Sequence, residues 1–190
     1  MSKGTSILVA EFVGTFLLVG AVLMGANPGV VLALLVLLIG GISGAHVNPA
    51  VSAGMASVNK IKSETMIKFW VVQILGALLA RVVYQYVKDQ DLSLSMNFVA
   101  LDGRLVVIEI IGAAVFLLGL TLAVTQKLDG IRLAVAVGGS LFLGALFGGI
   151  VNPALAFGYA DVALSSIIGP LIGGLIGVQL GQMITDKKMK

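Results

Sequence analysis

The tripeptide Asn-Pro-Ala occurs twice in the chain, and only four prolines are present in total. Asparagine is a favoured N-cap, and proline is tolerated at the first helical position because its missing N–H would be unpaired there anyway. Each copy therefore predicts the start of a helix. The residues concerned are Asn48, Pro49 and Ala50 in the first copy and Asn152, Pro153 and Ala154 in the second.

Both predicted helix starts come at the end of an apolar segment. Within a membrane, irregular backbone at such a depth survives only inside protein or beside a water-filled cavity. A helix N-terminus also carries about half a positive charge, so two N-termini meeting at the midplane repel cations but not neutral molecules. The side chains of Asn48 and Asn152 offer hydrogen-bond donors to a passing oxygen atom. The repeat therefore predicts a pore at the midplane.

The elements that would carry these motifs are membrane helices. The chain has 190 residues, of which 58% are hydrophobic and 11% charged, which is outside the range of soluble globular proteins. Most of the apolar segments are close to the roughly 20 residues that a membrane-spanning helix needs. They lie at about 5–26, 30–45, 66–87, 105–126, 131–150 and 163–185. We therefore predict an all-α membrane protein with six transmembrane helices and two re-entrant half-helices.

Basic residues are distributed unequally between the two sides of this arrangement. One side, which includes both termini, holds Lys3, Lys60, Lys62, Lys68, Lys127, Arg132, Lys187, Lys188 and Lys190. The other holds Arg81, Lys88 and Arg104. Because basic residues accumulate in cytoplasmic loops, we expect both termini in the cytoplasm of a multi-pass protein in the plasma or bacterial inner membrane.

The two halves of the chain resemble each other. Glu11 and Glu109 occupy corresponding apolar segments, and each is followed three residues later by glycine. Three spans per half is an odd number, so the second half must enter the membrane from the opposite side. The sequence thus predicts one channel domain, 1–190, built from inverted repeats at about 5–88 and 103–185.

Several segments together resemble the aquaporin and aquaglyceroporin family, also called the major intrinsic proteins. They are the segments 10–16, 43–51, 73–77, 152–154 and 169–173. The resemblance implies six tilted helices with two half-helices that meet at the Asn-Pro-Ala motifs, assembled as a homotetramer in membrane lipid with one pore per subunit. It implies passive conduction of water and small neutral solutes such as glycerol or urea, with no cofactor.

The resemblance also implies a rail of backbone carbonyls along the pore, contributed by Gly44, Ala45, His46, Gly148, Gly149, Ile150 and Val151. Glu11 and Glu109 have two interpretations: a proton relay, or acceptors for N–H groups of the re-entrant segments, which the resemblance favours. His46 is either a pH sensor or a ring bonded within its loop. Trp70 lies near the end of a span and is expected to anchor at a membrane interface.

The outer selectivity filter departs from the family pattern. Where most members have arginine directly after the second motif, this chain has Leu155. The filter candidates are Pro28, Ser140 or Ala145, Gly149 and Leu155, the middle pair being two alternative alignments of one position. We expect a wide, apolar outer mouth that admits solutes larger than water and weakens the barrier to ions. Narrowing of the pore by Leu155, Phe142, Phe147 or Phe157 is the opposite possibility.

Three classes of function remain open at this point. The first is a passive channel for neutral solutes, the second a poorly selective ion-conducting pore, and the third a mainly structural membrane protein. An enzyme is not expected, because the chain has no cysteine, a single histidine and no recognisable nucleophile–base set or metal-ligand cluster. Nucleic acid is not an expected partner, since the net charge of +3 reflects lysines that flank apolar segments.

Overall fold

A computed structural model describes residues 2–186 of the chain. Lys187, Lys188 and Lys190, which entered the orientation prediction, lie outside the described residues. The helices are α1 (Lys3–Leu23), α2 (Pro28–Ser43), α3 (Pro49–Ser57), α4 (Ser63–Val87), α5 (Gly103–Thr125), α6 (Gly130–Ala145), α7 (Pro153–Tyr159) and α8 (Ser165–Thr185). Two short strands are β1 (Asn97–Val99) and β2 (Asp161–Ala163). Each half of the chain therefore has the same helix order: long, short, half-helix, long.

Four of the helices, α1, α4, α5 and α8, are long and apolar enough to cross a membrane. The other two predicted spans, α2 and α6, have 16 residues each. At about 1.5 Å per residue each covers roughly 24 Å, less than the hydrocarbon thickness of a typical bilayer. Each short helix is followed by a non-helical segment and a half-helix.

The fifth apolar segment, expected at 131–150, is helical only to Ala145. Gly148 has φ +93° and Val151 has φ +56°, and such left-handed backbone cannot continue a helix. The apolar segment is therefore longer than the helix, and 148–151 is non-helical, as expected for the stretch that leads to the second motif. These last residues form the approach to α7 instead.

Close helix contacts hold the two long helices of each half together. In the first half, Gly76 of α4 lies against the backbone of Phe12 in α1; in the second, Gly173 of α8 lies against the backbone of Ile110 in α5. A methyl group at either glycine would overlap a carbonyl oxygen of the neighbouring helix. Small residues at such positions let membrane helices pack at short distance.

A two-stranded parallel bridge joins the loops between α4 and α5 and between α7 and α8, with Asn97 paired to Asp161 and Val99 to Ala163. The Asn97 side chain donates a 3.1 Å hydrogen bond to the Asp161 carboxylate. Strands of three residues are too short to show an alternation of polar and apolar residues, so these two were not predicted from the sequence. The bridge ties the loop of one half to the end of the half-helix in the other.

Candidate pore

The half-helices α3 and α7 begin where the sequence predicts, at the two Asn-Pro pairs. The Asn48 side-chain oxygen accepts from Ala50 N–H at 2.8 Å, and the Asn152 oxygen accepts from Ala154 N–H at 3.0 Å. Asn27 caps α2 in the same way, by accepting from Gly29 N–H at 2.9 Å, so a third helix of the chain also starts at Asn-Pro. Of these three asparagines, only Asn48 and Asn152 are buried.

The remaining amide groups of the two buried asparagines connect the halves of the molecule. Asn48 Nδ2 donates to the carbonyl of Val151 at 3.0 Å, and Asn152 Nδ2 donates to the carbonyl of Val47 at 3.0 Å. The two half-helix N-termini are thereby fixed against each other. An amide nitrogen carries two N–H groups, so each asparagine keeps one donor beyond this bond.

The residue before each asparagine adopts a left-handed backbone. Val47 has φ +42° and Val151 has φ +56°. For a β-branched side chain this region is a genuine outlier, and such strain costs on the order of 1–3 kcal/mol per residue. The conformation is found at the two residues whose carbonyls accept the asparagine bonds. Other contacts must therefore stabilise this backbone.

Glu11 supplies those contacts in the first half. Its Oε1 accepts from the Ser43 hydroxyl at 2.6 Å and from His46 N–H at 2.9 Å. Its Oε2 accepts from Val47 N–H at 2.8 Å and from Gln73 Nε2 at 2.8 Å. The carboxylate is fully buried, and four donors satisfy it. This geometry is that of an acceptor that holds the re-entrant segment.

Glu109 has the same position in the second half. It accepts from Ile150 N–H at 3.1 Å, from Val151 N–H at 2.8 Å and from the Ser166 hydroxyl at 2.9 Å. Gly149 lies directly against this carboxylate, and a Cβ atom there would be 2.7 Å from Oε2. Only glycine leaves room for the carboxylate at this distance. Gly149, one of the filter candidates from the sequence, therefore packs against Glu109.

Several partners in this network were not assigned to it from the sequence. Trp70, expected as an interfacial anchor, donates from Nε1 to the Pro49 carbonyl at 2.9 Å. Gln73 donates to Ser52 at 3.2 Å as well as to Glu11. Ser43, the last residue of α2, donates to Glu11, and Ser166, near the start of α8, donates to Glu109, so the two hydroxyls come from helices that do not correspond.

The His46 ring is buried beside the first half-helix. Its Nδ1 lies 3.2 Å from the Ser52 hydroxyl, and its ring meets Phe69 edge-on with centroids 5.2 Å apart. The ring is thus held against α3, while its backbone N–H donates to Glu11. Of the two interpretations given above, this geometry matches the ring bonded in its loop.

A cavity of about 620 Å³ leads to the first half-helix from the side of the α3–α4 and α5–α6 loops. Gly44, Ala45 and His46, three of the predicted carbonyl-rail residues, line it, together with Val51 and Met55 of α3. At its rim, the hydrogen bond from Arg132 and the charge of that guanidinium lower the pKa of Asp129. The remaining rail residues lie elsewhere: Gly148, Gly149, Ile150 and Val151 form the approach to α7, and the Val151 carbonyl is bonded to Asn48.

The filter candidates do not form one cluster. Pro28 is the first residue of α2, and the hydroxyl of Ser140 bonds to Ala136 in its own helix while abutting Gly119 of α5. Ala145 is the last residue of α6, and α6 nowhere comes within 8 Å of α7 between Cα atoms. Leu155 is only 3% exposed and packs in an apolar cluster with Val19, Ala77, Ala80 and Ala154.

In the described part of the chain, no group of three or more His, Cys, Asp or Glu side chains is placed to hold a metal ion. The geometry instead defines two inverted halves, each with a re-entrant half-helix whose cap bonds to the other half. This is an aquaporin-like, all-α integral membrane fold. The chain belongs to the family described as Major intrinsic protein, whose profile matches residues 23–184.

Individual relatives agree with this assignment. Aquaporin Z of Brucella melitensis is 33% identical over 90% of this chain and 93% of its own length. A probable glycerol uptake facilitator protein of Thermotoga maritima is 29% identical over 92% of this chain and 97% of its own, and mouse Aquaporin-8 is 28% identical over 85% and 70%. The X-ray structure of the aquaglyceroporin from Plasmodium falciparum superposes with a TM-score of 0.72 over 97% of this chain and 96% of the other, at 21% identity.

Proposed function

We propose that the chain is a passive channel for water and small neutral solutes, including glycerol and urea, with its pore centred on the two Asn-Pro-Ala motifs. The observation that carries the proposal is the reciprocal pair of bonds from Asn48 to Val151 and from Asn152 to Val47. This pair holds two helix N-termini against each other, which supports a pore at that point. Family membership and relatives named for both water and glycerol support the substrate class.

The proposed mechanism uses the groups that the two asparagines leave available. Each Asn side chain has one amide N–H to donate to a solute oxygen as it passes the midplane. Carbonyls of Gly44, Ala45 and His46 offer acceptors on the approach from the cavity. A cation at the same point loses hydration and meets the positive ends of two half-helices, whereas a neutral solute meets no such barrier.

Osmotic swelling of proteoliposomes tests the proposal. With water, glycerol and urea gradients, the protein is expected to accelerate volume change well above empty liposomes, while a parallel flux assay shows no passage of potassium. Rapid potassium flux would identify a poorly selective pore instead. If neither neutral solutes nor ions move faster than through lipid alone, the protein is a structural membrane component.

Leu155 is expected to give the channel relaxed selectivity, so that glycerol and urea pass as well as water. Leu155→Arg should narrow the outer mouth and shift the ratio toward water, because the longer side chain takes up space that a larger solute needs. Its fixed charge would in addition repel a cation about 4 Å away by roughly 4 kcal/mol at an effective dielectric constant of about 20. The control is Leu155→Met, which conserves volume and should retain the native ratio. Native liposomes that swell for water yet exclude glycerol would contradict the prediction.

The proposal also includes a location and an assembly. We infer a homotetramer in the plasma or bacterial inner membrane with both termini in the cytoplasm. The outward faces of α2 and α6 support burial against lipid or neighbouring subunits: Leu34, Leu38, Val135 and Leu143 are all more than half exposed. Light scattering of the solubilised protein, corrected for detergent, measures the number of subunits.

A further inference from the structure

The cavity of about 620 Å³ that leads to the first half-helix, called the inner cavity below, has an apolar wall with one polar side chain, the ring of His46. Among the described residues that line the cavity, the other two polar side chains are Lys60 and Asp129. Both belong to the loops at its rim. Around the ring, the wall consists of glycines and of apolar side chains from α2, α3, α5 and α6.

One nitrogen of this ring is already bonded to the protein. Nδ1 lies 3.2 Å from the hydroxyl of Ser52 in α3, and Phe69 packs edge-on against the ring. The Ser52 hydroxyl is itself held in place, since it accepts from Gln73 Nε2 at 3.2 Å and lies 3.2 Å from the Asn48 carbonyl. The ring therefore has a defined orientation, with Nδ1 turned toward α3.

The other ring nitrogen, Nε2, is open to the inner cavity. It makes no hydrogen bond within residues 2–186. Three side-chain nitrogen and oxygen atoms in that range are shielded from solvent and lack a partner, and Nε2 is not one of them. Because His46 is only 8% exposed and lines the inner cavity, Nε2 is reached from this cavity. A buried side chain thus presents one free polar atom to the path of the solute.

Solutes larger than water need such a contact more than water does. Water in a cavity of this size bonds to other water, since each molecule takes only about 30 Å³ in the liquid. Glycerol or urea displaces that water and has to find its partners in the wall, because a desolvated polar group without a hydrogen bond is costly. A neutral imidazole offers Nε2 either as a donor or as an acceptor, and hydroxyl and amide groups complement both.

We propose that Nε2 of His46 is a solute-positioning group, which bonds a hydroxyl or amide group of glycerol or urea before the solute reaches Asn48. The inference rests on the proposed channel function and deepens it. It adds a side chain to the backbone carbonyls on the approach, which come from Gly44, Ala45 and His46 itself. Discrimination among neutral solutes then arises in the inner half of the pore as well as at Leu155.

Substitution of His46 by the two amide residues separates this role from a packing role. The glutamine side chain places its amide near the position of Nε2, whereas the asparagine side chain is one methylene shorter and reaches about as far as Nδ1. In proteoliposomes, His46→Asn is expected to lower the ratios of glycerol and urea flux to water flux about three- to tenfold, since one hydrogen bond to a desolvated solute is lost. His46→Gln should retain most of both ratios. A purely structural bond to Ser52 predicts the reverse order of the two variants.

The matched control is Met55→Leu, at an apolar side chain that lines the same cavity. It conserves volume and should leave both flux ratios as in the native protein. Thermal unfolding in detergent establishes that each variant is folded. A folded His46→Asn variant with the native flux ratios would overturn the inference.

Chemical modification of the native chain tests the accessibility of the nitrogen without any substitution. His46 is the only histidine of the sequence, so the ultraviolet absorbance of a carbethoxylated imidazole reports on this ring alone when the protein carries no histidine tag. Diethyl pyrocarbonate is expected to modify the folded protein, and hydroxylamine to reverse the modification. Glycerol or urea should slow the reaction by occupying the cavity, whereas sucrose at the same osmolarity should not. A ring that the reagent does not reach, or that neither solute protects, in a folded and water-conducting protein speaks against the inference.

The outcomes separate this inference from the function on which it rests. If the native protein conducts neither water nor glycerol, the channel proposal itself fails. If the native protein conducts both, but His46→Asn leaves their ratio unchanged and no solute protects the ring, the inference alone is overturned.

Discussion

Replacing Glu11 by leucine is expected to abolish solute flux and to destabilise the protein strongly. The substitution leaves the backbone N–H groups of His46 and Val47 buried and without an acceptor, at a cost of roughly 1–3 kcal/mol each. It also removes the contact that holds Val47 in its left-handed conformation, which is itself strained. Thermal unfolding in detergent and liposome swelling measure the two effects.

Glu11→Gln should be less damaging than Glu11→Leu, though not neutral. The amide oxygen replaces one carboxylate oxygen, but the amide nitrogen then faces donors such as Val47 N–H or Gln73 Nε2. Glu109→Gln and Glu109→Leu should reproduce the same order in the second half, and Glu64→Gln, at an exposed carboxylate, serves as the control. A pH-dependent flux in the native protein that disappears in Glu11→Gln would support a proton relay instead.

The sequence was sufficient for the main architecture because its signals are local. An asparagine followed by proline specifies a helix start through the cap and the missing N–H, and both half-helices begin at these pairs. The lengths of the apolar segments predicted the long helices. The matching positions of Glu11 and Glu109 predicted that the two halves of the chain are related. Each of these inferences needs only one segment of the chain or a comparison of two.

The parts that the sequence did not give depend on contacts between distant segments. The bonds between the asparagines and the opposite valine carbonyls join residues of different halves. The residues next to Val47 and Val151 in the sequence do not indicate that these β-branched residues adopt a left-handed backbone. Likewise, the sequence presents Arg81 as one more basic residue near the end of a span, and its burial is seen only in the structure.

The arrangement of the filter candidates also depends on contacts between distant segments and could not be predicted from the sequence. Ser140 and Ala145 were alternative alignments of one position, and the choice depended on how far α6 extends before the chain turns back. The helix ends at Ala145 because the following segment needs left-handed residues to reach Asn152, which no periodicity in 131–150 reveals. The contact between Ser140 and Gly119 then places this side chain against α5.

Asn48→Ala and Asn152→Ala are expected to reduce water flux several-fold and to lower stability. Each removes a cap worth about 1 kcal/mol and a buried bond to the opposite half, and each also removes the donor proposed to meet the solute. Because the two bonds join the same pair of segments, the double variant should be non-additive by about 0.5–3 kcal/mol. Swelling rates and thermal unfolding of the three variants measure this coupling.

Asn27→Ala is the matched control, since Asn27 caps α2 before a proline in the same way but lies at an exposed position. This variant should lose the stability that one helix cap contributes, and its water flux should equal that of the native protein. Asn48→Asp separates the two roles of the buried residue: the carboxylate still caps Ala50 N–H, but it has no N–H to offer Val151 or a solute, and its charge attracts cations to the midplane. Native flux and native expression in the Asn48 and Asn152 variants alike would remove both residues from the mechanism, because cap, cross-bond and donor would then all be dispensable.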